Sequence, residues 1–131
     1  MSHISTIEIE VKDIGCLKAA CEQLGLEFRE NQQAYKWFGR FVGDSPMPEG
    51  LTKEDLGKCL HAIGIKGNKQ AYEVGVVARK DGKGFHLHYD YWAGGYGLED
   101  VIGKKAGKLT QEYAAQVAIK QARKMGYSVQ R

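Results

Sequence analysis

The sequence contains no apolar run of the ~18 residues that a membrane-spanning helix needs. Its three cysteines are an odd number and none forms a CxxC pair, which argues against a disulfide framework and against a zinc ribbon. The N-terminal residues lack a basic segment followed by an apolar stretch, so no secretory signal is predicted. We therefore expect a cytoplasmic protein, or one of a plastid stroma, that does not enter a membrane.

The composition is that of an ordinary soluble globular protein, with 43% hydrophobic and 27% charged residues in a chain of 131. This length predicts a single domain over 1–131. The net charge of +3 is uneven: positions 1–65 hold 7 basic and 10 acidic residues (−3), and positions 66–131 hold 12 and 6 (+6). A basic second half indicates either an anionic partner or a solvated helix face.

Residue periodicity predicts an α+β fold. Alternation of apolar and polar side chains predicts strands over 3–11, 34–42, 59–65, 71–79 and 85–92, with a short edge strand over 127–131. Helical spacing predicts one helix with Asp13 as its N-cap and Gly25 as its stop, and a second from Leu98 to about Met125, broken near Gly103 or Gly107. The core stripe predicted for the second helix is Ile102, Ala106, Leu109, Tyr113 and Val117. We expect an antiparallel sheet with two helices packed on one face, a ferredoxin-like core with an extra hairpin.

The segment HYDYWAGGYGLED at 88–100 combines five aromatic or imidazole rings with four residues that have small side chains or none. A glycine-rich entry to a helix can bind phosphate through free N–H groups. Here Glu99 and Asp100 already complement the helix dipole and would repel an anion, and no P-loop Lys-Ser/Thr pair follows. The loop is therefore predicted to be a turn with positive φ angles, which glycine adopts without steric cost.

One metal candidate is visible in the strand predicted over 85–92. His86, His88 and Asp90 alternate and so share one face, and imidazoles with a carboxylate suit zinc, iron or copper. The opposite face carries an evident core set, so the His-His-Asp face is expected to be wet. We predict no bound cofactor.

A nucleic-acid-binding strand is a second candidate. The segment YKWFGRF interleaves aromatic and basic residues, and exposed rings on a sheet can stack bases while cations hold phosphates. This hypothesis needs Trp37 or Phe38 to be exposed; core packing explains the same rings. Its residues are Lys36, Trp37, Phe38 and Arg40, together with Lys104, Lys105 and Lys108 of the basic second half.

The motifs MSHISTI, CLHAI, YEVGVV, YDYWAGGYGLED, IGKKAGKLTQEYA and ARKMGYSV follow one another over nearly the whole chain. In this order they resemble the hypothetical chloroplast reading frame thirty-five family, a domain of unknown function from plastids, cyanobacteria, other bacteria and phages. Outside the pattern are His86, His88 and the region around 43–58. The positions that match the family pattern are Ser2, His3, Ser5, Tyr72, Glu73, Gly75, Asp90, Trp92, Gly95, Gly97, Leu98, Leu109, Gln111 and Tyr113.

The resemblance implies a small soluble protein that acts as an adaptor, because related genes lie near AAA-type ATPases. We therefore expect a non-enzymatic domain that docks a protein partner, an AAA-type ATPase being one such class. No GxSxG or HExxH motif indicates catalysis, although residues distant in sequence could still assemble a site. The binding residues would be His3, Ser5, Asp90, Trp92, Gly95, Tyr96 and Gly97. The same residues could instead form a hydrogen-bonded lock between the first strand and the loop.

Overall fold

The computed structural model describes residues 3–39 and 52–128, and five strands within them form one antiparallel sheet. The strands are β1 (Ile4–Val11), β2 (Leu26–Arg29), β3 (His61–Ile65), β4 (Val74–Ala78) and β5 (Phe85–Asp90). Their order across the sheet is β1-β5-β4-β3-β2. The first two strands of the chain are thus the two edges, and the last four form a meander.

In the described part of the chain, three α-helices accompany the sheet: α1 (Ile14–Gln23), α2 (Leu98–Ile102) and α3 (Gly107–Lys124). The predicted N-cap of α1 is confirmed, because the Asp13 carboxylate accepts a hydrogen bond from the Cys16 amide at 3.0 Å. The predicted break in the second helix is also confirmed. Gly103, at φ 82°, and a short 3₁₀ turn over Lys104–Ala106 separate α2 from α3.

The main core lies between one face of the sheet and the helices, as predicted for an α+β fold. Strand residues such as Val76, Leu87 and Tyr89 pack there against Leu17 of α1 and Leu109 of α3. The predicted core stripe is confirmed. Its buried members are Ile102, Ala106, Leu109 and Tyr113, and Val117 packs at the margin of the same cluster.

The other face of the sheet carries a second, smaller core. Ile4 and Ala62 of the sheet are covered by Tyr35, Leu56 and Cys59 from the chain between β2 and β3. A wet His-His-Asp face was therefore a wrong expectation for two of its three members, since His88 and Asp90 are buried. Connecting segments, which carry no regular pattern, supply this cover.

The strand predicted over 34–42 does not form in its described part, 34–39. Only Ala34 makes an isolated bridge, with Lys58. The amides of Lys36 and Phe38, which a strand would donate to a neighbouring strand, are instead donated to the carboxylates of Glu73 and Asp90. Positions 40–42 lie outside the described residues.

Two other details differ from expectation. The ferredoxin-like arrangement is not confirmed, because four consecutive strands follow α1 instead of the β-α-β-β-α-β order. The short strand β2, directly after Gly25, was missed. Tyr127 and Ser128 are not in a strand, and 129–131 lie outside the described residues. Within 3–39 and 52–128, no helix is long and apolar enough to cross a membrane.

Candidate functional site

Asp90, at the end of β5, joins three parts of the chain at one end of the sheet. Its side chain is fully buried. One carboxylate oxygen accepts hydrogen bonds from the amides of His3 at 2.9 Å and Trp92 at 3.0 Å. The other oxygen accepts a hydrogen bond from the amide of Phe38 at 3.1 Å. Charge-assisted bonds of this kind are among the stronger ones in proteins. The predicted lock between the start of the chain and the loop therefore forms at His3, through its backbone amide, and it also holds the segment before residue 40.

The chain then enters a left-handed turn. Five consecutive residues, 93–97, have φ between 51° and 106°. Gly95 is required there, because a Cβ would lie 2.9 Å from the Leu98 Cβ and the backbone is at φ 66°. Ala93 and Tyr96 adopt the same conformation without being glycine, which costs about 1–2 kcal/mol each. Strain of this kind is retained only where the surrounding structure imposes it.

The surroundings of the turn impose that conformation by hydrogen bonds. The Gly95 carbonyl accepts a hydrogen bond from the amide of Tyr72 at 2.9 Å, and the His3 carbonyl accepts one from the amide of Tyr91 at 2.8 Å. The backbone before and inside the turn is therefore tied to the residues that precede β1 and β4. The prediction of a positive-φ turn is confirmed.

Four rings surround the turn, and we call His3, Tyr91, Trp92 and Tyr96 the aromatic turn surface. The His3 ring lies 5.2 Å from Tyr91 and 5.3 Å from Trp92, edge-on to the indole. Tyr96 is 52% exposed and Tyr91 is 40% exposed, whereas Trp92 is half-buried. Two large exposed rings are therefore carried by a backbone that hydrogen bonds hold in place.

Two buried tyrosines contact the turn and the helix that follows it. Tyr72 packs edge-on against Tyr96 with ring centres 5.1 Å apart. Burial, with the nearby Asp90 carboxylate, raises the pKa of Tyr72 to about 12. Tyr89 donates its hydroxyl to Glu99 at 2.7 Å, and burial with this bond raises its pKa. Both phenols stay protonated at neutral pH, so they act as hydrogen-bond donors and packing groups.

The residues predicted to bind are largely brought together. His3, Asp90, Trp92, Gly95, Tyr96 and Gly97 lie at the same end of the sheet. Ser5 does not join them: it pairs with Tyr89, so its side chain is on the face opposite Ile4 and Asp90. Asp90, with its carboxylate used by backbone amides, is a support for the surface and not part of it.

A second buried carboxylate, Glu73, was matched only through the family resemblance. It accepts the Lys36 amide at 2.7 Å and the Gln32 side-chain amide, and it forms an ion pair with Arg29. The sequence does single out this residue, because Glu73 is the one charged residue within the apolar run from Ala71 to Ala78. A charge in such a run must find partners when it is buried.

The proposed metal ligands do not converge. The His86 and His88 rings lie 4.7 Å apart, but the oxygens of Asp90 are used by backbone amides. No group of three or more His, Cys, Asp or Glu side chains that could hold a metal occurs among the described residues. His88 is 1% exposed with neither ring nitrogen hydrogen-bonded, and its burial, with His86 nearby, lowers its pKa to about 4.

The rings of the nucleic-acid candidate are partly covered. Tyr35 is buried, with its ring in the space that a Cβ on Gly75 would occupy, and Trp37 lies in the same way over Gly57. Phe38 packs against the main core. The described part of this segment is a loop, and its rings do not form a flat stacking surface. The cations Lys36, Lys104, Lys105 and Lys108 are exposed, and Arg40 lies outside the described residues.

No protein-family model, curated protein or solved structure matches this chain.

Proposed function

We propose that this chain is a binding module that docks a protein partner through the aromatic turn surface. The observation that supports this most directly is the left-handed turn at 93–97, whose strained backbone carries the exposed Tyr96 and directly follows the exposed Tyr91 and the half-buried Trp92. Tyrosine and tryptophan dominate the energetics of many protein interfaces. A strained and fixed turn lowers the entropy that these rings lose on binding.

The family resemblance adds a class of partner, an AAA-type ATPase, for which this chain would act as an adaptor. The nucleic-acid alternative stays a prediction. The exposed cations Lys104, Lys105 and Lys108 around the start of α3 support nucleic-acid binding. The rings of the segment 34–39 do not support it, because they are partly or fully buried.

Affinity capture from the native host, with and without nuclease, tests the proposal. We expect a protein partner that survives nuclease treatment. Trp92→Ala and Tyr96→Ala should each weaken the capture, because each removes a ring that a partner would cover. If proteins are captured only while nucleic acid is intact, the nucleic-acid-binding alternative is favoured.

The matched control is Leu60→Ala, which removes another exposed large apolar side chain, just before β3. It should leave capture unchanged. Loss of capture with Leu60→Ala but not with Tyr96→Ala would place the docking surface elsewhere and contradict the proposal. Thermal unfolding of each variant shows whether the fold is retained.

A further inference from the structure

A groove with a volume of about 570 Å³ lies between α1 and α3. Its α1 wall consists of Gly15, Cys16 and Ala19, which are among the smallest side chains on that helix. Ile119 adds an apolar side chain from α3. The small residues of α1 leave open a space that larger side chains would fill, and the result is a cleft with an apolar floor.

The charged side chains of this groove all have one sign. Lys120, Arg123 and Lys124 line it, and no acidic side chain of the described chain does so. Asp13 forms an ion pair with Lys120 and so orients it. Neither Arg123 nor Lys124 forms an ion pair with a described residue. Cations in the last turn also complement the helix dipole, but this does not explain the apolar cleft beside them.

These three cations are spaced so that they share one side of α3. Positions i, i+3 and i+4 are neighbours on a helix surface, so the positive charge forms one rim and the small residues of α1 form the other. Two large apolar side chains, Met125 and Tyr127, are exposed immediately after this rim. A ligand that matches the site carries apolar side chains along one edge and carboxylates along the next.

We propose that the α1–α3 groove binds an acidic amphipathic helix of a partner protein. Apolar side chains of that helix would lie against Ala19 and Ile119, and its carboxylates would pair with Arg123 and Lys124. Helix-in-groove recognition uses this combination of anchors. A nucleic acid fits less well, because no ring among the described residues lines the groove to stack a base. This site stands on different residues from the aromatic turn surface, so either proposal can fail alone.

Fluorescence anisotropy with a defined peptide tests the inference. The probe is a labelled peptide of about 15 residues, long enough for a short helix, with leucine at helical spacing and glutamate at the other positions. We expect saturable binding that is weakened about tenfold by Arg123→Glu combined with Lys124→Glu, because like charges then face each other. A peptide with glutamine in place of glutamate should also bind more weakly. Ala19→Trp, which fills the cleft without changing its charge, should reduce binding as well.

The matched control is Lys104→Glu combined with Lys108→Glu, which makes the same change of charge at exposed positions outside the groove. It should leave binding of the peptide unchanged. Absence of saturable binding, or equal weakening by the control pair, would overturn the inference. So would preference for a single-stranded oligonucleotide or for anionic lipid vesicles through the same two cations. Thermal unfolding of every variant confirms that the fold is intact.

Discussion

At the scale of single residues, two kinds of position are energetically unfavourable in the folded state, and the rest of the fold must offset their cost. Ala93 and Tyr96 hold a backbone conformation that suits glycine, and His88 holds two ring nitrogens in the core without hydrogen-bond partners. At each of these positions, the backbone conformation or the environment that the residue type prefers differs from the one it has in the fold. Such disagreements are expected where a site or a buried face imposes its own geometry.

Ala93→Gly should stabilise the protein by about 0.5–1 kcal/mol, because glycine removes the steric strain at φ 51°. The matched control is Ala114→Gly, at an exposed position within α3, which should lower the free energy of unfolding by about 1 kcal/mol. Urea unfolding of both variants measures the difference. Equal destabilisation by the two substitutions would show that residue 93 does not hold the left-handed conformation in solution.

His88 makes the stability depend on pH. Its pKa in the fold, lowered to about 4, is below the ordinary value of 6.5, so the unfolded chain takes up a proton in this window while the folded chain does not. The free energy of unfolding should therefore fall as the pH drops from 6.5 to about 4. The contribution of this group is at most about 3 kcal/mol.

His88→Phe removes that contribution, so the variant should lose less stability than the parent chain between pH 6.5 and pH 4. Denaturant unfolding at several pH values measures both slopes. A slope that is unchanged in the variant would mean that His88 is accessible to protons in the folded state.

At the scale of elements, glycine placement decides how the segment after β2 packs on the sheet. Gly75 of β4 has no side chain, and the ring of Tyr35 occupies the space where its Cβ would be. A neighbouring carboxylate, Glu73, fixes the backbone beside that ring through Lys36. The segment is therefore held by shape and by charge at adjacent positions.

Gly75→Ala should destabilise the fold by about 1–3 kcal/mol, because its Cβ would lie 2.3 Å from the Tyr35 ring. The matched control is Gly107→Ala at the start of α3, where nothing lies within 4 Å of the added Cβ and the backbone is helical. That substitution should stabilise the protein by roughly 0.5–1 kcal/mol. Two substitutions with the same chemistry should thus have opposite signs in urea unfolding. A gain of stability with Gly75→Ala would contradict the packing of Tyr35 on β4.

At the scale of the whole molecule, the two cores share one sheet and are joined at Asp90. That carboxylate accepts hydrogen bonds from the amides of His3 just before β1, of Trp92 in the aromatic turn surface and of Phe38 in the segment that covers the second face. Loss of any of these three parts leaves a buried charge with missing partners, which is costly. The two cores should therefore unfold together.

The second core and the aromatic turn surface each have a fluorescent reporter, because Trp37 packs against the second core and Trp92 belongs to the aromatic turn surface. Trp92→Phe and Trp37→Phe leave one reporter each. The fluorescence midpoints in urea should coincide with the midpoint from circular dichroism for both variants, as two-state behaviour requires. An earlier midpoint for the variant that retains Trp37 would show that the covering segment detaches independently.

The sequence by itself determined the local structure. Periodicity indicated the strands over 3–11, 71–79 and 85–92 and the core stripe of the second helix, because side-chain spacing reflects which face is buried. Glycine and Asp13 marked the turn, the helix break and the first N-cap for reasons that involve only nearby backbone. The residues of the aromatic turn surface are close in sequence except His3, so most of the surface could be recognised from one segment.

Only the tertiary structure decided the fate of 34–39, the burial of His88 and the order of the strands. The amide of Phe38 reaches a carboxylate 52 positions away, and the amide of Lys36 reaches one 37 positions away. The pattern of aromatic and basic residues in that segment is the same whether its amides pair with a strand or with buried carboxylates. Contacts between distant parts of the chain make that choice, because they alone supply the acceptors.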